Sequence, residues 1–222
     1  MSDSHPVQSS ERRSEPTANG HDSARRNIVV IGASAGGIET LSRLLADLPA
    51  NLPASIFVVV HLAAESPGVL PEILNRAGPL TALPASDGAP FVQGYVYVAP
   101  PDRHLLLEQD HIRVTNGPKE NRARPAVDPL FRSAAYALGP RVIGIVLSGS
   151  LDDGTAGLWA IKDRGGIAVV QDPAEAQYPS MPRSAQRYVR VDHVLPVAEI
   201  ARLLPQLVCQ DAYAEGSTLM PE

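Results

Sequence analysis

Residues Asn27–Gly37 read NIVVIGASAGG. The β-branched run at its start, spanning Asn27–Gly32, is the composition of a strand buried on both faces, as in a parallel sheet. A turn of small residues follows, with Gly36 and Gly37 at its end. Ile38, Leu41, Leu44, Leu45 and Leu48 then recur at helical spacing, until Pro49 and Pro53 end the pattern. Strand, glycine-rich turn and amphipathic helix together open a β-α-β unit.

The same grammar continues outward. Ser55–Val60 (SIFVVV) is a second buried strand, closed by His61, and a second helix is predicted over Val69–Arg76. The middle of the chain differs. Tyr95–Ala99, Leu105–Glu108 and Ile112–Thr115 read as short antiparallel strands, with Asp102-Arg103 and Gln109-Asp110 as turn residues. Asn116–Pro125 is polar and reads as an exposed loop. A helix is predicted over Asp128–Leu138, with Asp128 as N-cap and Pro129 in the first turn. Parallel order returns with Val142–Leu147 (VIGIVL), the loop Ser148–Gly154 (SGSLDDG), a helix over Thr155–Asp163 and a strand over Ile167–Gln171. Helices over 183–189 and 197–207 flank a short strand, Val191–Leu195. The expected fold is α/β: a three-layer, mostly parallel, Rossmann-like sheet with helices on both faces and a small antiparallel insertion. The domain is expected over 27–208.

The ends read differently. Residues 1–26 are rich in Ser, Glu, Arg and Asp, and Met1, Val7, Ala18 and Ala24 are their apolar residues apart from proline. So little can be buried there that a disordered tail is expected, with a flexible second tail over 209–222. No continuous apolar segment marks a secretory signal. No run approaches the ~18 apolar residues of a membrane-spanning helix.

The 222 residues carry 19 Lys and Arg against 24 Asp and Glu, for a net charge of −5, which argues against nucleic-acid binding as the main task. One cysteine, Cys209, excludes an intramolecular disulfide framework and a multi-cysteine zinc site. The histidines show no close metal-ligand spacing, and Gly36-Gly37 is not followed by the Lys-Ser or Lys-Thr of a phosphate-binding loop. A dinucleotide fingerprint would need Gly in place of Ser34 and an acid in place of His61. No metal or cofactor is expected.

Ligands of an open α/β sheet bind outside the carboxyl ends of its strands. Three long strands end in chemistry there: the first at Ser34, the second at His61, the third in the loop holding Asp152 and Asp153. A hydroxyl, an imidazole and a carboxylate along one edge could form a serine nucleophile, its base and the orienter of the base. Gly32 and Gly36 flank Ser34 as G-x-S-x-G, which permits a sharp strand-to-helix turn exposing the hydroxyl. Each feature also has a structural explanation: a tight turn for the glycines, a hydrogen-bonding role for His61, capping for the aspartates. Spacing does not choose between Asp152 and Asp153. An α/β-hydrolase order would instead combine Ser34, Asp153 and His193.

Six ordered blocks carry a resemblance: IGASAGG at Ile31–Gly37, VVVHL at Val58–Leu62, YVAPPDRH at Tyr97–His104, RPAVDPLF at Arg124–Phe131, LSGSLDDGTAG at Leu147–Gly157, and QDP followed by MPRSA within Gln171–Ala185. Over roughly Asn27–Val208 the chain resembles the catalytic domain of bacterial protein-glutamate methylesterases, the CheB family of chemotaxis-type signalling systems. The resemblance implies Ser34, His61 and Asp153 as the catalytic residues, Asp153 being the aspartate immediately before glycine. It implies the backbone N–H groups of Ala35 and Ser150 as oxyanion donors. Where some members have threonine after the serine, this chain has Ala35.

The implied reaction is hydrolysis of glutamate methyl esters, with glutamine deamidation as related chemistry. The implied partners are the cytoplasmic helices of methyl-accepting chemoreceptors, and beyond them a chemotaxis methyltransferase or other signalling proteins. The implied location is the cytoplasm. Typical members carry an N-terminal receiver domain, which residues 1–26 are too short to hold, so a stand-alone esterase domain is expected. Two other classes stay open: a serine esterase of other substrates, and a non-catalytic signalling module. Arg103 and His104 are further candidates to line the cleft.

Overall fold

The computed structural model describes residues 25–212. The elements run β1 (Ile28–Ala33), α1 (Gly37–Ala46), β2 (Ser55–Val60), α2 (Leu70–Ala77), β3 (Thr81–Pro84), β4 (Tyr95–Val98), β5 (His104–Leu107) and β6 (Ile112–Thr115), then α3 (Val127–Leu138), β7 (Val142–Val146), α4 (Thr155–Asp163), β8 (Ile167–Gln171), α5 (Ser180–Tyr188), β9 (His193–Leu195) and α6 (Val197–Val208). Seven strands form one sheet in the order β3-β4-β2-β1-β7-β8-β9, and every pairing in it is parallel. β5 and β6 form a separate antiparallel pair.

Two apolar cores sandwich the sheet. Val29, Ile31 and Ala33 of β1 join Leu41, Leu44 and Leu45 of α1, with α2 and α6 completing that layer. Ile28 and Val30 point the other way and pack with Phe131 of α3, Leu158 and Ile161 of α4 and Met181 of α5. Complete burial of such side chains contributes roughly 1.5–3 kcal/mol each. A strand with both faces covered has no polar face to show, hence the unbroken apolar runs.

Gly32 faces the second core, where an added Cβ would collide with the Val127 side chain. Its missing side chain lets the first turn of α3 lie directly on β1. Strand order reverses at β1: the chain adds β2 on one side of it and later returns to add β7 on the other. That is the switch point where loops diverge and leave a crevice.

Three expectations change. Tyr95–Val98 belongs to the main sheet, parallel to both β2 and β3, rather than to the antiparallel insertion. Four-residue strands carry too little pattern to reveal their neighbours; here Gly94 N–H binds the Ala54 carbonyl at 2.8 Å and starts β4 beside β2. Thr81–Pro84, read as no element in the sequence, is the edge strand. Asp128 is not the N-cap of α3; Ala126 holds that position without a side-chain cap.

At the ends, Arg26 N–H binds the Gln210 carbonyl at 3.1 Å and Arg25 bridges Asp211 in antiparallel fashion, so residues 209–212, read above as the start of a tail, are tied to the domain. The rest of both expected tails lies outside the described residues.

Candidate active site

Register brings the first two side chains together. Ala33 pairs with Val60 across β1 and β2, and His61 N–H continues the ladder onto the Ala33 carbonyl at 3.2 Å. Side chains alternate along a strand. Ala33 and Val60 enter the first core, so the next residues, Ser34 and His61, emerge on the α3 side. Ser34 N–H binds the Ser148 carbonyl at 2.9 Å, which ties the serine turn to the end of β7.

His61 Nδ1 lies 3.1 Å from Ser34 Oγ, and Nε2 lies 2.6 Å from Asp153 Oδ2. That oxygen also accepts the Val127 N–H at 2.7 Å. An ionised carboxylate only accepts, so Nε2 carries the proton and Nδ1 is left as the acceptor for the serine hydroxyl. The three residues thus form one directed chain, Ser34 to His61 to Asp153.

The carboxylate of Asp153 is fully engaged. Its Oδ1 accepts the Asp128 N–H at 3.0 Å and the Asn121 side-chain amide at 2.6 Å. Val127 and Asp128 are the first residues of α3, so Asp153 supplies from another loop the cap that Ala126 lacks. The positive end of the helix dipole adds to this. Asp153 is 1% exposed. Burial works to raise its pKa; the hydrogen bonds from His61, Val127, Asn121 and Asp128 outweigh it and hold the carboxyl below its ordinary value.

Asp128 answers in the opposite direction. Its Oδ1 accepts the Gly157 N–H of α4 at 2.6 Å, and its Oδ2 accepts the Asn121 amide at 2.8 Å. Burial, with the charge of Asp153 beside it, pushes this carboxyl above its ordinary value despite those bonds. Asp152 is exposed, and its carbonyl accepts the Thr155 N–H at 3.1 Å. Of the two aspartates, Asp153 is the one whose carboxylate meets the His61 ring. His193 stands at the start of β9, two strands beyond β7, and takes no part in the chain from Ser34.

The turn carrying Ser34 is held rigidly. Ser148 Oγ donates to the Ala35 carbonyl at 2.9 Å and accepts the Tyr178 N–H at 3.0 Å, while Ser148 N–H binds Gln171 Oε1 at 2.8 Å. Gly36 adopts φ +70°, a conformation that L side chains rarely take, as the chain turns into α1. Neither the Ala35 nor the Ser150 backbone N–H donates to another described residue. Gly149 packs so closely on Ser34 that an added Cβ would stand 2.9 Å from the Ser34 Cβ and collide with Met181.

Arg103 and His104 do not reach the triad. His104 is buried, donates from Nε2 to the Pro118 carbonyl at 2.8 Å, and accepts the Ala126 N–H at Nδ1 over 3.3 Å. It fastens the loop before α3. Arg103 is exposed and binds Asp102. Sequence reasoning missed Asn121, Asp128 as a side chain, Ser148 and Gln171. Their partners lie far away in the chain, and no local pattern announces them.

The CheB methylesterase family pattern matches residues 29–204. A Leptospira interrogans relative, provisionally named protein-glutamate methylesterase/protein-glutamine glutaminase, is 40% identical over 180 residues, covering 81% of this chain and 93% of that protein. Protein-glutamate methylesterase/protein-glutamine glutaminase 2 of Anaeromyxobacter dehalogenans is 42% identical over 184 residues, 83% of this chain and 54% of the relative. The chain thus spans about half of that longer protein. The crystal structure of the Thermotoga maritima CheB methylesterase catalytic domain superimposes with a TM-score of 0.79 at 35% identity, covering 82% of this chain and 98% of that one.

Proposed function

The chain belongs to the CheB methylesterase family, and from that premise we propose that it hydrolyses methyl esters of glutamate side chains on chemoreceptors, with Ser34, His61 and Asp153 as its catalytic residues. The observation that carries this reading is the hydrogen-bonded chain from Ser34 Oγ through the His61 ring to Asp153 Oδ2.

Ser34 Oγ attacks the ester carbonyl as its proton passes to His61 Nδ1. The imidazolium is stabilised by Asp153, which keeps its negative charge throughout. The tetrahedral intermediate places its oxyanion toward the Ala35 and Ser150 N–H groups, which act as donors to the developing charge. Collapse breaks the C–O bond to the methoxy group, which leaves as methanol with the proton from Nδ1. A water molecule then gives a proton to Nδ1 and attacks the acyl-serine. Glutamate leaves, and Ser34 recovers its hydroxyl. With a glutamine substrate the same steps release ammonia. The serine would be a weak nucleophile without its base.

Exposed apolar side chains stand close by. Leu151 lies in the loop that carries Asp153, and Tyr178 packs beside Gly36, the last residue of the serine turn. A site rimmed in this way suits a protein surface, such as the cytoplasmic helices of a chemoreceptor, and on that reading the reaction belongs to the cytoplasm.

The test is methanol release from methyl-labelled receptor by the wild type and by Ser34→Ala. Release by the wild type that Ser34→Ala loses supports the reading. Equal release by both, or none by the wild type, sinks it.

A further inference from the structure

The loop before α3 delivers one side chain that touches both buried carboxylates. Glu120 and Ala123 exchange backbone hydrogen bonds, Ala123 N–H to the Glu120 carbonyl at 2.8 Å and the reverse at 3.2 Å. Between them Asn121 and Arg122 take φ of +49° and +63°. Positive φ at both central positions is the mark of a type I′ turn, and asparagine is among the residues that tolerate it. The turn is fastened on both sides. His104 holds the Pro118 carbonyl, Arg124 binds Asp102 and the Gly117 carbonyl, and Arg132 of α3 binds Glu120 at 2.6 Å.

Asn121 thereby presents its amide nitrogen 2.6 Å from Asp153 Oδ1 and 2.8 Å from Asp128 Oδ2. An amide nitrogen carries two N–H groups, so each carboxylate receives one. We infer that Asn121 is a positioning residue for the reaction, which fixes the rotamer of Asp153 so that Oδ2 faces His61 and which screens Asp153 from Asp128. This rests on the triad reading above.

The physical reason is that two buried carboxylates of like charge repel, and repulsion would be relieved by rotating Asp153 away from His61. The groups that face the pair are His61 from the end of β2, Arg132 on α3, and the N–H groups of Val127, Asp128 and Gly157. None of these side chains contacts both carboxylates; Asn121 does. The opposed displacements of the two pKa values are what such a pair produces when one member is held ionised beside the other.

The experiment follows the rate at which a fluorophosphonate probe labels Ser34, across pH, alongside receptor demethylation and thermal midpoint. Asn121→Asp keeps size and turn preference but replaces the donor with an acceptor. Asn121→Gly deletes the amide and accepts positive φ without strain, and stands in if the first variant fails to fold. Both are expected to slow labelling about 10- to 100-fold, the order produced by small misplacements of a reacting group. Both should move the acid limb of the profile to higher pH, because the Asp153–His61 pair then binds its proton more tightly.

The double variant Asn121→Asp, Asp128→Asn separates positioning from mere anchoring. There the amide of residue 128 donates to the carboxylate of residue 121, while its carbonyl oxygen still accepts the Gly157 N–H. The thermal midpoint should recover toward wild type and labelling should stay slow. Labelling restored to the wild-type rate in the double variant, or unchanged rate and profile in both single variants, would overturn the inference. Wild type that labels at Ser34 but does not demethylate receptor defeats the substrate reading and leaves this test intact. Wild type that does not label defeats both.

Discussion

The backbone N–H of Asp128 donates to Asp153 Oδ1 over 3.0 Å, while the Asp128 side chain turns away to accept the N–H of Gly157, four residues beyond Asp153 in the chain. Asp153 thus caps α3, the helix whose first turn holds Asp128, and Asp128 caps α4, the helix that follows Asp153. The exchange locks α3 against α4 and, as a by-product, sets the carboxylate that meets His61. Its energetic logic is plain: helix starts leave N–H groups without partners, and burial makes leaving them so costly.

Ser34→Ala is expected to reduce turnover by at least about a thousandfold while leaving the thermal midpoint close to wild type. The hydroxyl contacts His61 and contributes no core packing. Methanol release and a melting curve on the same preparation check both halves. Adding a change at His61 to Ser34→Ala should cost little more, because the two act as a unit.

Asp153→Asn should lower kcat by about 10³–10⁴-fold, since an amide donor facing Nε2 favours the wrong tautomer of His61. Asp152→Asn should stay within about threefold of wild type, because its side chain is exposed and only its carbonyl is used. Steady-state kinetics of the pair decide the matter. The reverse order of effects would be incompatible with the geometry.

Gly149→Ala should slow turnover more than tenfold and cost about 1–3 kcal/mol of stability, the usual range for overpacking a filled core. The new methyl would press on Ser34 and on buried Met181 together. Urea titration and the labelling rate at Ser34 report the two effects separately.

Stability should depend on pH through Asp153 with a definite sign. Its folded pKa lies below the ordinary carboxylate value. The unfolded chain therefore takes up the proton first as pH falls. The contribution of the ionised group is fully present above about pH 4 and is lost below it, as pH passes through the folded value. Asp128, raised in the folded state, acts in the opposite sense: it costs stability at neutral pH, and that cost fades on acidification. Urea midpoints of wild type and Asp153→Asn should therefore converge below about pH 4, and a gap that widens there would contradict the assignment.

Ser148→Ala should weaken the serine turn without touching the triad. It removes the hydroxyl that bridges Ala35 and Tyr178 and leaves a partly buried carbonyl and N–H short of a partner. The expected loss is about 1–3 kcal/mol in urea titration.

Much of this was readable before any coordinates. Unbroken β-branched runs named β1, β2 and β7, and leucine spacing named α1. Ser34 and His61 follow directly from their places after two such strands, because parallel register leaves neighbouring strand ends side by side. Other features gave no signal. Thr81–Pro84 and Tyr95–Val98 are too short for their pattern to reveal neighbours. Asp128 looked like the cap of its own helix, since capping residues and first-turn acids share a composition. Asn121 looked like one polar residue in a polar loop.

The amino-acid order by itself determined the long strands β1, β2 and β7, the helix α1, the parallel sense of the sheet's centre, and the strand ends at which a hydroxyl and an imidazole stand, because these depend on local periodicity and on small residues at the turns. The family blocks pointed to Asp153. Only the tertiary structure decided why that aspartate rather than Asp152 meets His61, which ring nitrogen faces the serine, and how Asn121 joins two carboxylates 32 and 7 residues away. Those are matters of which buried donor finds which acceptor, and such pairings are set by how distant segments pack.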